Sequence, residues 1–142
     1  MLALSRGVDV VFHTAATAYE GASVFSPHYV MQNIVTASSG VFSAAIAARV
    51  RRIVFCSSMA RYGAAPVPFS EDQAPQPVDA DGIGKVACEA VLENLCRVHG
   101  VEYAIAVPHN IFGPGQAYDD PYRNVAAIMT NLMLQGRQPF VY

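Results

Sequence analysis

Three short apolar runs constrain this chain more than any other feature: DVVFHTAA at 9–16, RRIVFCSS at 51–58 and EYAIAV at 102–107. They are short for helices, rich in β-branched and aromatic residues, and lack the alternation of a half-solvated strand. Such runs predict strands buried on both faces, as in parallel sheets. After the first run, Ser26-Pro27 predicts a helix start, with Ser26 as N-cap and Pro27 at the first helical position. From Pro27 to about Arg49, the residues Val30, Ile34, Val41, Ala44, Ala45 and Ala48 recur at helical spacing. After the second run, a Pro-rich loop (APVPFSEDQAPQPVDAD) precedes a helix from about Gly82 to His99, and Gly100 stands where a left-handed stop belongs. Pro108 closes the third strand. The order strand–helix–strand–helix–strand predicts right-handed crossovers and a parallel, three-layer sheet.

The 142 residues suit one domain; 53% are hydrophobic and only 14% charged, which excludes a disordered chain. Nine basic against eleven acidic residues leave no electrostatic footprint for nucleic acid. No consecutive apolar run approaches the ~18 residues of a membrane span, so no membrane partner is expected. The start, MLALSRGVDVVFHTAA, lacks the features of a secretory signal. Three cysteines, Cys56, Cys88 and Cys96, argue against a disulfide framework. The expected setting is cytoplasmic. Two crossovers leave three strands with bare edges, and the chain stops on the apolar run QPFVY. A piece of a larger α/β protein is therefore expected.

Ligands of parallel sheets collect at the carboxyl ends of the strands. Here these ends carry Thr14-Ala15-Ala16, Ser57-Ser58 and Pro108-His109-Asn110, with Lys85 near the start of the following helix. Small residues allow a cofactor to approach, and the hydroxyls, the amide and the ammonium supply hydrogen bonds. The plainer alternative is that Ser57 and Ser58 only turn the chain and Lys85 is a solvated charge. Cys96 and His99 share a helix face but lack further ligands at suitable spacing, so no metal is expected. His13, inside an apolar run, reads as a satisfied core histidine, and Arg49, Arg51 and Arg52 as a solvated rim. Gly113-Pro114-Gly115 reads as a turn.

Several segments together resemble the NAD-dependent epimerase/dehydratase family, the extended short-chain dehydrogenase/reductases acting on nucleotide sugars, of which UDP-glucose 4-epimerase is the best-known kind. They are VDVVFHTAA, Tyr29 with Asn33, RRIVFCSSMARYG, the pattern P-x-D-x-x-G-x-x-K-x-x-x-E from Pro77 to Glu89, VPHNIFGPGQ and YRNV. The resemblance implies a fragment of a Rossmann-type doubly wound sheet lacking the N-terminal βαβ unit with its Gly-rich loop. Residues 1–142 would form part of the NAD-binding domain, with 113–142 leading into a truncated substrate-binding region. It implies cofactor contacts to NAD by Thr14, Ala15, Ala16, Asn33, Ser57, Lys85, Pro108 and His109. It implies contacts to a nucleotide sugar, UDP-linked, by Ser58, Asn110 and Asn124, and a homodimeric parent. Ser58 would orient the reacting sugar hydroxyl, while Lys85 would hold the nicotinamide ribose and keep a neighbouring phenol acidic. The segment 119–124 would line the sugar-nucleotide side.

The sequence departs from that pattern at the proton acceptor. The family reads Y-x-x-x-K; here the segment is Asp81-Gly82-Ile83-Gly84-Lys85, so Asp81 occupies the catalytic tyrosine's place. A carboxylate is shorter by most of a ring and, with an intrinsic pKa of ~3.9, a weak base. Asp81 is better read as capping the helix and pairing with Lys85. Tyr62 matches the family's structural Y-G. The expected parent activity is nucleotide-sugar 4-epimerisation through a transient 4-keto sugar and bound NAD. The alternatives are a dehydratase or decarboxylase, which would use further acids around the sugar, and a non-catalytic truncated remnant. The isolated chain is expected to bind NAD poorly and to turn over nothing measurable.

Overall fold

A computed structural model describes residues 5–17, 23–117 and 125–139. The chain divides into two compact units, Met1–Pro108 and His109–Tyr142. The first holds strand β1 (Val10–His13), helix α1 (Pro27–Ala47), strand β2 (Arg52–Cys56), a 3-10 turn (Met59–Arg61), helix α2 (Ala80–His99) and strand β3 (Glu102–Ala106). The strands lie in the order β1-β2-β3, all parallel, with Val11 opposite Ile53 and Ile53 opposite Tyr103. Sequential neighbours joined by helices are what the alternating pattern requires.

The core lies between the sheet and both helices. Ile53 and Phe55 of β2 meet Val30, Ile34, Phe42 and Ala45 of α1 and Cys88, Leu92 and Cys96 of α2. The alternate residues of the sheet fare differently: Val54 and Cys56 are half-buried, and Phe12 is 71% exposed. The strands are thus not buried on both faces as expected. Both helices pack against one face, so the described residues of this unit form two layers of the expected three. β1 is also shorter than its apolar run, because pairing ends at His13 opposite Phe55.

Helix α1 begins at Pro27, but the Ser26 side chain makes no capping hydrogen bond; only its carbonyl accepts, from the Val30 N–H at 3.1 Å. The helix widens into a π-turn over Gln32–Thr36. It ends at Ala47, short of Arg49, which adopts φ +59° while the Val50 N–H bonds the Ala45 carbonyl. With 21 residues and no Asp, Glu, Lys or Arg between Pro27 and Ala47, α1 is long and apolar enough to cross a membrane by length and composition. Its buried side chains pack on the sheet as in a core helix. Helix α2 stops at Gly100, in the left-handed region at φ +68°, as its sequence predicts. At the strand entrances Arg51 and Arg52 both pair with Glu102, at 3.5 and 2.6 Å, on an exposed rim where such pairs contribute little.

The second unit contains helix α3 (Val125–Leu134), which the sequence reading did not anticipate, ending in a turn with Gly136 at φ +68°. Gly113 and Gly115 lie in the turn expected there, where the Gln116 N–H bonds the Gly113 carbonyl.

Phe42 is fully buried and meets Phe55 and His13 edge-on, with ring centroids 5.5 and 5.7 Å away. Phe42→Ala is expected to lower the unfolding free energy by about 3–5 kcal/mol, measured by urea denaturation; a loss below about 1 kcal/mol would show that this core is loosely packed.

Candidate functional site at the carboxyl end of the sheet

The chain leaves β2 as Ser57-Ser58 and turns at once into the 3-10 turn. The Ser57 N–H bonds the Ala106 carbonyl at 2.8 Å, extending the β2–β3 pairing by one residue. Ser58 is extended and caps the turn, its Oγ accepting from the Ala60 N–H at 3.1 Å. Its hydroxyl proton remains available to a further acceptor. The Met59 N–H bonds the Pro108 carbonyl at 3.2 Å, which draws the exit of β3 to the same edge.

Helix α2 starts directly beside this turn, and two glycines permit the approach. A Cβ on Gly82 would lie 2.6 Å from the Ala60 carbonyl oxygen, and one on Gly84 would lie 3.2 Å from Ile34 and 3.3 Å from Met31. The first turn of α2 therefore fits between the 3-10 turn and the π-turn of α1. Asp79 is the N-cap, its Oδ1 accepting from the Gly82 N–H at 2.7 Å. The expectation that Asp81 caps the helix is corrected: Asp81 lies inside the first turn and is buried. Rotation about the helix axis, set by the two glycines, places Asp79 at the cap and turns Asp81 inward.

Lys85, one turn further on, is not solvated. It is 6% exposed, its Nζ donates to the Cys56 carbonyl at 2.8 Å and lies 5.1 Å from the centre of the Phe55 ring. Burial pushes its ammonium below the ordinary value of 10.5, opposed by Asp81 and, less strongly, by Cys56, Cys88 and Glu89. The expected pairing of Asp81 with Lys85 is thus present as a charge interaction. Another turn along, Glu89 is also buried: Oε1 accepts a hydrogen bond from Ser57 Oγ, and Oε2 pairs with Arg61 Nη2 at 3.1 Å. The sequence reading assigned neither Glu89 nor Arg61 a role. The signal was Glu89's place in the motif, four residues after Lys85 and so on the same helix face.

The other expected residues distribute unevenly. Thr14, Ala15 and Ala16 follow β1 and are exposed, with small side chains at the same sheet edge. Ser57 is at the edge, but its hydroxyl is engaged by Glu89. Asn33 lies in the π-turn and donates its amide to the Tyr29 carbonyl at 2.8 Å. Pro108 ends the first unit, while exposed His109 and Asn110, the latter at φ +46°, belong to the second. Asn124 and the segment 119–124 lie outside the described residues. Tyr62 is buried, stacked on Phe69 at 4.8 Å, as a structural residue would be. Cys96 is buried in the core, and no three metal-ligating side chains gather among the described residues. All three cysteines are free thiols.

A model of the NAD dependent epimerase/dehydratase family matches residues 2–142. The chain belongs to this family. It is 32% identical over 138 residues to a UDP-glucose 4-epimerase of Mycolicibacterium smegmatis, covering 94% of this chain and 43% of that protein. Its structure matches the UDP-N-acetylglucosamine 4-epimerase of Methanobrevibacter ruminantium, solved with UDP-N-acetylmuramic acid, at TM-score 0.95 and 31% identity. That match covers 99% of this chain and 46% of the other. A UDP-glucose 4-epimerase of Brucella ovis, solved with NAD, matches at TM-score 0.71 and 29% identity, over 80% of this chain and 35% of the other. The chain thus spans less than half the length of these relatives. The three parallel strands and their connecting helices are part of the family's Rossmann-type fold.

His13 ends β1 as the sequence implied: buried, its Nε2 2.9 Å from Ser38 Oγ, stacked on Phe55. Burial, and then the Lys85 charge, lower its pKa from the ordinary 6.5. The unfolded chain therefore takes up this proton first, and stability falls as the pH drops from 6.5 toward the lowered native value. His13→Gln, which cannot protonate but can still bond Ser38, is expected to flatten that acid-side slope in urea denaturation. An unchanged slope would assign it to other groups.

Proposed function

We propose that this chain is the cofactor- and sugar-handling part of a nucleotide-sugar 4-epimerase working with NAD. The observation that carries the reading is the convergence of Ser58 and Lys85 on the carboxyl end of β2, with Lys85 fixed to the Cys56 carbonyl. The residues suit such a cofactor: a buried cation stands at the strand end, and Thr14, Ala15 and Ala16 leave the end of β1 uncrowded. Bound NAD would supply hydride acceptance from the sugar carbon and its return to the opposite face of a transient 4-keto sugar. Ser58, with one lone pair engaged by the Ala60 N–H, would donate its proton to the oxygen of the reacting hydroxyl and orient it. Lys85 would bind the nicotinamide ribose. Pro108 would border the nicotinamide. UDP is the nucleotide favoured by the relatives above.

The oxidation also needs an acceptor for the hydroxyl proton, with a pKa near the working pH. Asp81 occupies that position, buried and within the field of Lys85. A carboxylate is shorter than a phenol by most of a ring and, with an intrinsic pKa of ~3.9, a weak base. This favours a second reading, in which the protein binds NAD and nucleotide sugar but transfers the proton poorly.

The test is Asp81→Tyr in the intact protein, followed as UDP-glucose- or UDP-N-acetylglucosamine-dependent formation of reduced nicotinamide. A properly placed acid–base group contributes about 100-fold or more, so a gain of that order is expected over a near-background wild type. Equal rates in the two proteins would remove position 81 from the chemistry. Failure of either protein to bind UDP in calorimetry would overturn the nucleotide-sugar reading.

A further inference from the structure

Beyond Ser58 and Lys85, the strand end contains a buried polar cluster that the proposed reaction does not use directly. Glu89 stands on α2 four residues after Lys85. Its two oxygens go to different elements, Oε1 to Ser57 at the end of β2 and Oε2 to Arg61 at the end of the 3-10 turn. Those two residues bracket Ser58. Arg61 is itself restrained, with its guanidinium carbon 5.0 Å from the centre of the Tyr62 ring, its Nη1 donating to Tyr62 Oη at 3.4 Å and its backbone carbonyl accepting from the Gln76 N–H. Glu89 is 6% exposed, so leaving either oxygen unpaired would strand a carboxylate away from water.

Ser57 alone could be satisfied by a neutral amide, and an apolar side chain would fill the same space at lower desolvation cost. The arrangement gains geometry: one side chain on the helix that carries Lys85 holds the side chains of residues on both sides of Ser58. We propose that Glu89 is a positioning residue, clamping Ser57 and Arg61 so that the Ser58 hydroxyl and the Lys85 ammonium hold a fixed separation at the end of β2. The inference rests on the reaction proposed above for Ser58 and Lys85, and its first readout does not depend on that reaction.

Glu89→Gln keeps the shape and an oxygen for Ser57 but removes the charge. Lys85 faces Asp81, Cys88 and Glu89 from its own helix, Cys56 from β2 and His13 from β1. Loss of the Glu89 charge releases its grip on Arg61 without emptying the space it fills, so Lys85 stays buried and is less supported. Its titration midpoint, followed by NMR of the Lys85 side chain against pH, then moves further down. A side chain that merely helps the fold hold together would, when changed, let water reach Lys85 and move the midpoint up toward 10.5. An upward or absent shift therefore overturns the proposal.

Should the single exchange yield too little folded protein, Glu89→Gln with Arg61→Gln removes both buried charges and keeps amide partners. A downward shift smaller than that of the single exchange is expected, because Glu89, on the Lys85 face of the helix, supports the ammonium more closely than the Arg61 charge lost with it opposes it. In the intact Asp81→Tyr protein, Glu89→Gln is expected to lower kcat for nicotinamide reduction at least tenfold while the KM for the nucleotide sugar stays within twofold. A matched rise in KM with kcat unchanged overturns positioning in favour of binding. If Asp81→Tyr reduces no nicotinamide, the reaction reading fails, and the Lys85 titration still decides the role of Glu89.

Discussion

The close seating of α2 against the end of β2 is the contact on which the rest of this structure depends. It is made possible by two missing side chains, since a Cβ at Gly82 would run into the Ala60 carbonyl and one at Gly84 would press on Ile34 and Met31. With that approach fixed, Asp79 falls at the cap, and Asp81, Lys85 and Glu89 follow at one-turn intervals along a single buried stripe. The Lys85 ammonium then reaches the Cys56 carbonyl, and the Glu89 carboxylate reaches Ser57 and Arg61. A helix rotated by one residue would present a different set of side chains to the strand end.

Placing a lysine and two carboxylates under a helix is costly in desolvation, and the protein offsets that cost by mutual pairing and by hydrogen bonds to backbone. The consequence is a site whose charges are interdependent. Burial lowers the Lys85 value, Asp81 and Glu89 oppose that shift, and Lys85 in turn discourages a proton on His13. Asp81 is part of this balance. In the family pattern the same position carries a phenol, which must lose its own proton before it can accept one from the sugar hydroxyl, and a neighbouring lysine cation favours that loss. Here the position bears a buried carboxylate, shorter than a phenol by most of a ring and intrinsically a weaker base. Family membership and the chemistry available at this edge are therefore separate questions, and the second turns on one side chain.

Much of the architecture was legible from pattern alone. The three short apolar runs became three parallel strands in sequence order, and Gly100 ended α2 as a left-handed residue should. His13 was readable as a satisfied core histidine because an imidazole inside an apolar strand must find a partner, and Ser38 provides it. The errors have specific causes. Two acids two residues apart, Asp79 and Asp81, each have the chemistry of a cap, and only the packing of Gly82 chooses between them. Ser26 has a capping side chain, yet α1 starts without using it. The run around Phe12 has the composition of a doubly buried strand, while both described helices cover the opposite face of the sheet.

By itself the sequence determined the order and type of the main elements, because hydrophobic period, Pro and Gly act within a few residues of where they stand. It also determined the family, because several motifs in the right order are far more specific than any one. Only the tertiary structure decided which charged residues matter. Glu89 and Arg61 lie 28 residues apart in the chain, and a charged side chain in mid-helix has the same local signature whether it faces water or a buried partner. Burial and pairing are properties of what folds over a residue, and that information is not carried by its neighbours in sequence.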